Sequence, residues 1–247
     1  MPRRRSGGAA RLRPMTTSID HALLRKAEMF AGLDAEALAE VAAAGVVRRL
    51  EAGTRIFAQG DPGVSCHSLL KGRVKIVQTR ADGGQSVLRF IAPGEMYGTV
   101  AALMDQPFPA DAIAVVDSVE LGWPVATMRE LMRRFPEIGV RATASAGHRL
   151  FELQSRIGEL TADRVEQRIA RAVLRLVETG GRPDPDGIAV DFPITRQELG
   201  EMAGATLHTV SRTLSAWDDR GLTRSARRRI VVCDRAALEA IAAGRPA

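Results

Sequence analysis

Cysteine is scarce in this sequence, with Cys66 and Cys233 the two cysteines among 247 residues. They form no CxxC motif, which excludes a disulfide framework and a metal or redox site of that type. Sparse, unpaired cysteine is typical of a reducing compartment, so we expect the protein in the cytoplasm.

Long apolar runs are also missing. No stretch reaches the roughly 20 apolar residues that a membrane helix needs, so no membrane association is expected. The N-terminus, MPRRRSGGAARLRPM, is basic but lacks the apolar segment of a secretory signal. No GxSxG, GxGxxG or P-loop motif and no paired-carboxylate pattern occurs in an enzyme-like context, so we expect no enzyme.

Charge is unevenly distributed along the chain. The net charge is +6, and residues 1–26 alone carry seven Arg or Lys and one Asp. The rest of the chain is therefore near neutral, and bulk charge does not identify a nucleic-acid binder. Residues 1–18 are predicted to be a flexible basic tail, which could touch DNA phosphates or be a solvated arm.

The first half of the sequence contains a helical segment followed by a segment rich in β-strand signals. Residues 19–45 are predicted to form two short helices, and residues 46–123 alternate short β-rich runs with turn signals. Asp82-Gly83-Gly84 between two such runs predicts a hairpin. Many short strands indicate an antiparallel barrel or jelly roll, and we interpret residues 19–124 as a sensor domain of the β-roll type.

Residues 125–180 have the pattern of helix. Apolar residues recur there at spacings of four and three, which is the seam of a two-stranded dimer helix or the face of a packed core helix. This predicted dimer interface comprises Ala146, Leu150, Leu153, Ile157 and Leu160. We place the dimerisation region at 125–160, predict that Thr161 caps the next helix, and interpret 180–187 as a turn-rich linker.

The most informative segment is 191–235. Thr195 followed by Glu198 predicts a capping box, Gly204 suits a left-handed helix end, and Thr206 can cap a second helix. Two helices joined by a tight turn form a helix-turn-helix. The following strand-turn-strand pattern adds a wing, so residues 161–247 are predicted to be a winged helix-turn-helix domain that binds DNA.

The second helix has two distinct faces at 100° per residue. Val210, Leu214 and Trp217 should face the core, and the opposite face can enter a major groove, where Arg212 would bridge guanine O6 and N7. The alternative is a merely solvated helix face. The arginines of the wing, which include Arg224, are expected to hold phosphates. The predicted DNA-contacting residues are Thr195, Arg196, Thr206, His208, Thr209, Ser211, Arg212, Ser215, Arg227, Arg228 and Arg229.

From about residue 25 to 240 the sequence resembles the Crp/Fnr family of bacterial transcription regulators. The resemblance is carried by FAQGD (57–61), LLKGRVKI (69–76), FIAPGEMYG (90–98) and ITRQELGEMAG…TVSR (194–212). It implies an α+β fold with an N-terminal β-roll of the cyclic-nucleotide-binding type, a long dimerisation helix and a C-terminal winged helix-turn-helix. It also implies a cytoplasmic homodimer that binds a palindromic operator, works with RNA polymerase and responds to a small-molecule or gas effector.

Departures from the family pattern limit the effector. Thr99 stands where cyclic-AMP-binding members have Glu, and Pro109-Ala110 stand where they have Arg-Ser, so no cyclic-AMP response by those residues is expected. No cysteine precedes Cys66, so the iron–sulfur cluster of the oxygen sensors is not expected. His208 replaces the Glu that reads cytosine in many members.

A closer resemblance is to the denitrification subgroup, which regulates nitrite and nitric oxide reductase genes. It is carried by IAVVDSVELGWP (113–124), VEQRIARAVLRL (165–176) and TLHTVSRTLSAWDDRGL (206–222). This resemblance implies a nitric oxide or related nitrogen oxide signal, sensed through haem in some members.

Several residues are candidates for an effector pocket. They are Cys66, His67, Met96, Tyr97, Thr99, Pro109, Ala110 and His148. Adjacent residues of a strand point to opposite faces, so at most one of Cys66 and His67 faces the pocket, where it could ligate haem iron. The alternatives are a buried thiol, a surface imidazole at His67 and a helix-surface His148. No His or Cys spacing demands a metal.

Two other classes of function are alternatives to an effector-responsive transcription regulator. A cyclic-nucleotide module that acts on a protein partner should have the Glu and Arg-Ser residues and no DNA-reading helix. A DNA binder whose roll is only a dimerisation scaffold would have no effector, and the sequence alone does not separate it from an effector-responsive regulator.

Overall fold

The computed structural model describes residues 21–245. The predicted basic tail, 1–18, lies outside these residues. The described part begins with α1 (His21–Lys26), a 3₁₀ turn (Glu28–Phe30) and α2 (Ala35–Ala43). Asp34 caps α2, because its side chain accepts a hydrogen bond from the Ala37 amide at 2.8 Å. The prediction of two short helices is confirmed.

Eight strands and one short helix form the next unit. They are β1 (Val46–Leu50), β2 (Arg55–Phe57), β3 (Ser65–Lys71), β4 (Val74–Thr79), β5 (Gln85–Ile91), β6 (Met96–Tyr97), α3 (Thr99–Leu103), β7 (Asp111–Ala114) and β8 (Ser118–Pro124). They make two antiparallel four-stranded sheets of order β1-β8-β3-β6 and β2-β7-β4-β5. The predicted hairpin joins β4 to β5 at the pair Thr79 and Gln85. The predicted β-roll is confirmed.

Three helices follow the roll: α4 (Val125–Arg134), α5 (Pro136–Ala162) and α6 (Val165–Gly180). The predicted cap at Thr161 is wrong. α5 continues through Thr161, whose hydroxyl donates to carbonyl oxygens of the preceding turn at 3.0 Å. The N-cap of α6 is Arg164, whose amide donates to the Gln167 side chain at 2.8 Å.

The C-terminal unit combines four strands with three helices. They are β9 (Gly181–Asp184), β10 (Gly187–Val190), α7 (Arg196–Ala203), α8 (Leu207–Asp219), β11 (Thr223–Ala226), β12 (Arg229–Val232) and α9 (Arg235–Ala242). The strands form one sheet of order β11-β12-β10-β9. The predicted linker at 180–187 is wrong, because its turn residues connect the two strands of the β9–β10 hairpin. The strand-turn-strand wing is confirmed as β11 and β12.

The roll and the C-terminal unit share one hydrophobic core. Val77, Val87 and Phe90 of the β4–β5 hairpin are buried in the same cluster as Ile169 of α6 and Leu199 of α7. A second cluster packs α1, α2 and α4 around Phe30 and Trp123. The C-terminal unit is therefore packed directly against the β4–β5 hairpin.

Arg73 joins these two units through polar contacts. Its side chain is 3% exposed and its Nη2 lies 2.9 Å from Oδ1 of Asp191, which precedes α7. Nη1 donates to the Thr179 carbonyl at 3.3 Å, and the guanidinium lies 4.5 Å from the ring centre of Phe192. Burial lowers the pKa of Arg73, an effect that Asp191 opposes. Asp191 is thus the partner that compensates a buried cation.

Replacing that partner should destabilise the fold. Asp191→Asn leaves the Arg73 cation buried without a carboxylate, so we expect the free energy of unfolding to fall by about 2 kcal/mol. Urea unfolding monitored by circular dichroism measures it. Asp186→Asn is the matched control, since its pair with Arg224 is at the surface and should contribute under about 1 kcal/mol. Equal losses in the two variants would contradict the role given to Arg73.

Candidate nucleic-acid interface and effector cavity

The helix-turn-helix is formed by α7 and α8, and its caps lie where the sequence predicts them. The Thr195 hydroxyl accepts from the Glu198 amide at 3.1 Å, and Glu198 accepts from the Thr195 amide at 2.9 Å. Gly204 ends α7 in the left-handed conformation, with φ of 60°. Thr206 caps α8 by accepting from the Thr209 amide at 3.2 Å.

α8 presents the two faces that its sequence predicts. Val210, Leu214 and Trp217 are each 0% exposed and anchor the helix in the shared core. His208, Arg212 and Ser215 are exposed on the other side, and Ser211 and Thr209 are half-buried beside them. α8 is therefore held by one face and offers a polar, partly cationic face to a partner.

Asp218 fixes the wing to α8, a contact that the sequence analysis missed. Its carboxylate accepts from the hydroxyls of Thr223 and Ser225 at 2.6 and 2.5 Å, and from the Ser225 amide at 3.1 Å. Arg196 of α7 reaches the same Ser225 hydroxyl at 3.3 Å. An Asp at the end of a helix, followed closely by Thr and Ser at the start of a strand, is a weak signal that could have indicated this contact.

The four wing arginines fall into two pairs. Arg224 pairs with Asp186 and Arg229 pairs with Asp184, both acids of the β9–β10 hairpin. Arg227 and Arg228 form the turn of the wing, are exposed, and make no ion pair within residues 21–245. The pair in the turn is consequently free of competing carboxylates, whereas Arg229 is already engaged.

The predicted effector-pocket residues divide among a cavity, the core and the surface. A cavity of about 180 Å³ lies between the inner surface of the roll and α5. Of the candidates, it is lined by Met96, Tyr97, Thr99, Pro109 and Ala110. The sequence analysis missed Arg89 of β5 and Arg149 of α5, which also line it. Arg89 and Arg149 are 60 positions apart in the sequence, and no local pattern indicates that their side chains line the same cavity.

Cys66 and His67 do not line this cavity. Cys66 is fully buried in the core around Trp123, and that burial raises the pKa of its thiol to about 12. His67 lies on the opposite face of β3, only 3% exposed, so the alternative of a surface imidazole is wrong. Its ring stacks against Tyr97 at 5.1 Å, behind the cavity wall.

The His67 ring belongs to a buried polar cluster. Nε2 is 2.9 Å from the Ser65 hydroxyl, and Nδ1 is 3.2 Å from Nη2 of Arg48 and 3.4 Å from Glu120. Burial would raise the pKa of Glu120, but His67, Arg48 and the Tyr97 hydroxyl outweigh it, so that pKa is lowered. Both ring nitrogens of His67 are therefore engaged.

His148 lies on the outer surface of α5. Its side chain is 72% exposed, and Nδ1 is 3.0 Å from Oε1 of Glu28. That hydrogen bond lowers the pKa of Glu28. His148 does not line the cavity, which agrees with the helix-surface alternative.

The described residues do not fit a haem in the cavity. Its lining contains no His or Cys. The nearby His67 has both ring nitrogens engaged by other side chains, and burial keeps the Cys66 thiol protonated, so neither is available as an iron ligand. The sulfur-bearing side chains of its lining are those of Met29 and Met96. No group of three metal-binding side chains occurs within residues 21–245.

The predicted seam on α5 is exposed. Leu150, Leu153, Ile157 and Leu160 are between 52% and 63% exposed, and Phe151 beside them is 70% exposed. Ala146 is half-buried and lines the cavity. Because these four side chains remain more than half exposed among the described residues, the alternative of a core helix does not hold.

Comparison with known proteins agrees with both units. The family model of the cyclic nucleotide-binding domain matches residues 47–135, and that of the Crp-like helix-turn-helix domain matches residues 167–241. The chain is 31% identical over 192 residues to the cyclic AMP receptor protein of Thermus thermophilus, covering 78% of this chain and 86% of the relative. It is 27% identical over 229 residues to the nitrogen fixation regulation protein FixK of Bradyrhizobium diazoefficiens, covering 89% and 92%.

Solved structures show the same architecture. A Crp-family transcriptional regulator of Thermus thermophilus superposes with a TM-score of 0.68 at 25% identity, covering 81% of this chain and 98% of that one. The FixK2 structure from Bradyrhizobium japonicum matches in fold with a TM-score of 0.70 at 19% identity, covering 79% and 96%. Between His21 and Arg245, no helix is long and apolar enough to cross a membrane.

A roll of the cyclic-nucleotide-binding type, a long helix and a helix-turn-helix together define a DNA-binding transcription regulator. The chain belongs to the Crp/Fnr family of transcription regulators.

The burial of Cys66 gives a test of the roll core. In the folded protein iodoacetamide should modify the half-buried Cys233 and leave Cys66 unreacted, because the Cys66 thiolate is scarce and enclosed. Mass spectrometry of digested protein gives the extent of each reaction, with urea-unfolded protein as the control in which both react. Labelling of Cys66 at the rate of Cys233 before unfolding would contradict this packing.

Proposed function

We propose that this protein is a homodimeric regulator that reads a palindromic operator through α8 and controls transcription by RNA polymerase in the bacterial cytoplasm. It has no catalytic activity. The observation that carries this proposal is the exposed face of His208, Arg212 and Ser215 on a helix that is anchored by three buried side chains. A fixed helix with a free polar face is what major-groove recognition requires.

The DNA contacts divide into reading and positioning roles. Arg212 and His208 lie at the centre of the exposed face and would meet base edges, with Ser211 and Ser215 beside them. Thr195, Arg196, Thr206 and Thr209 lie at the helix starts, close to where phosphates would pass. Arg227 and Arg228 would hold the backbone, whereas Arg229 must first exchange its Asp184 partner.

Dimerisation through α5 follows from its exposed seam. An apolar stripe of this length is costly in water, and a second copy of the same helix would cover it in a symmetric interface. Two α8 helices related by that symmetry would then face two half-sites about one turn of DNA apart.

A cavity between the roll and α5 supports an effector-responsive protein over a roll that serves only as a scaffold. Thr99, Pro109 and Ala110 line it, so cyclic AMP would lack the Glu and Arg-Ser partners of cyclic-AMP-binding members. The subgroup resemblance predicts a nitrogen oxide signal and denitrification genes as targets. The relatives named above concern cyclic AMP and nitrogen fixation, so this signal stays a prediction.

Arg212→Ala tests the reading face. With an operator selected from random DNA duplexes, the variant should lose about 1–3 kcal/mol of binding free energy and its preference at one guanine of each half-site. Fluorescence anisotropy with matched and guanine-substituted duplexes measures both effects. Arg228→Ala is the comparison: it should weaken binding to all duplexes alike and flatten the salt dependence. If Arg212→Ala kept both affinity and preference, α8 would not be the reading helix in this orientation.

Ile157→Asp tests the dimer. A carboxylate at the centre of the apolar seam would be buried without a partner, so sedimentation equilibrium should find a monomer where the natural chain is a dimer. The control is Gln154→Asp, which changes an exposed residue of the same helix outside the seam and should remain dimeric. A dimeric Ile157→Asp variant would place the interface elsewhere.

A further inference from the structure

The cavity between the roll and α5 has an apolar wall with cations at one side. Its apolar lining includes Ile91, Met96 and Phe108, and the side chains of Arg89 and Arg149 reach it from β5 and α5. No Asp or Glu is among its lining residues. An apolar cavity whose charged lining residues are both arginines favours a ligand with an apolar body and a negative end.

One polar atom in this cavity has no partner. The hydroxyl oxygen of Thr99 is buried and makes no hydrogen bond within the described residues. Leaving a buried hydroxyl unsatisfied costs free energy, and such a group is commonly completed by a ligand or an ordered water. Because Thr99 lines the cavity together with the two arginines, its hydroxyl is the uncommitted donor nearest to hand for an anion bound there.

Both arginines have partners that an anion could replace. Arg89 is 3.0 Å from Glu95 and Arg149 is 3.3 Å from Glu152, and both pairs are partly exposed. Burial raises the pKa of Glu95. A ligand carboxylate would replace one carboxylate partner by another, so the exchange is a small electrostatic cost.

The size of the cavity limits the ligand. About 180 Å³ lies below the 300–1,000 Å³ typical of pockets that bury drug-sized ligands. We propose that the effector is a small monocarboxylate with an apolar body, whose carboxylate is held by Arg89 and Arg149 with a hydrogen bond from Thr99. The proposal rests on the proposed function in treating this cavity as the effector site. The cations thus come from β5 and α5, and not from the loop at Pro109-Ala110.

The same arginines connect the cavity with the DNA-binding unit. Arg89 and Arg149 also line a second cavity, of about 370 Å³, together with Glu95, Glu152 and Arg156. Arg156 donates to the Met202 carbonyl of α7 at 3.1 Å. A bound carboxylate that draws Arg149 away from Glu152 would change the charge balance of the second cavity. Arg156 lines that cavity and contacts α7, so this change would alter the position of α7.

Calorimetry on the purified full-length protein tests the proposal. The probes are butanoate, hexanoate and benzoate, each with its neutral amide, and cyclic AMP and nitrite are run in parallel. We expect at least one carboxylate to bind at millimolar concentration or below, and its amide to bind about tenfold more weakly or worse. Binding by none of the three carboxylates, equal binding by acid and amide, or binding by cyclic AMP or nitrite alone would overturn the proposal.

Variants locate the site and separate it from folding. Arg89→Gln and Arg149→Gln should each weaken the carboxylate by about tenfold or more and leave the amide unchanged. Arg133→Gln, at an exposed arginine of α4 outside the cavity, should change neither. Thr99→Val, nearly the same size, should also weaken the carboxylate. Unchanged carboxylate affinity in both arginine variants would overturn the site.

Operator binding without ligand separates this proposal from the function it rests on. If selected operators bind and require Arg212 while no carboxylate binds, the effector class is wrong and the regulator stands. If carboxylates bind through Arg89 and Arg149 while no duplex is selected, the site stands and its role as a transcriptional effector site is wrong.

Discussion

The packing of the β4–β5 hairpin against the helix-turn-helix is the contact on which the rest of the structure depends. Arg73 lies at its edge as a nearly buried cation, compensated by Asp191, the Thr179 carbonyl and the ring of Phe192. A second ion pair, of Lys75 with Glu198 at 2.7 Å, ends on the residue that closes the capping box of α7. Apolar burial provides most of the attraction, and these polar contacts fix which surfaces meet.

This arrangement places the proposed effector cavity and α8, the proposed reading helix, on either side of one interface. β5 contributes Arg89 to the cavity and Phe90 to the shared core, so adjacent residues of one strand face the two regions. α5 likewise contributes Arg149 to the cavity and Arg156 to a contact with α7. A change at the cavity can therefore reach α8 through packed elements with few intervening residues. Regulation through this path requires that these packed elements have two discrete arrangements with different affinities for the effector.

The features that could be predicted from the sequence are those determined by residues close together in the chain. The caps at Thr195, Glu198 and Thr206 depend on residues three positions apart, and the two faces of α8 follow from helical periodicity, so both were predictable. The DPDG turn at 184–187 joins two paired strands and not two domains, and β10 is held in the sheet by β12, which is distant in sequence. The burial of His67 depends on Arg48 and Glu120 from other strands, and no local pattern indicates such a cluster. The position of Arg89 in the cavity likewise depends on residues distant in sequence, so it could not be predicted from local pattern.

The most direct test of this account uses the two tryptophans as reporters of the two units. Trp123 is buried in the roll and Trp217 under α8. In single-tryptophan variants, Trp123→Phe and Trp217→Phe, urea unfolding is followed by fluorescence and by far-ultraviolet circular dichroism at fixed protein concentration. A shared core predicts that within each variant the remaining tryptophan reports the same midpoint and slope as circular dichroism. Two separated transitions, with the Trp217 signal lost while the roll stays folded, would contradict it.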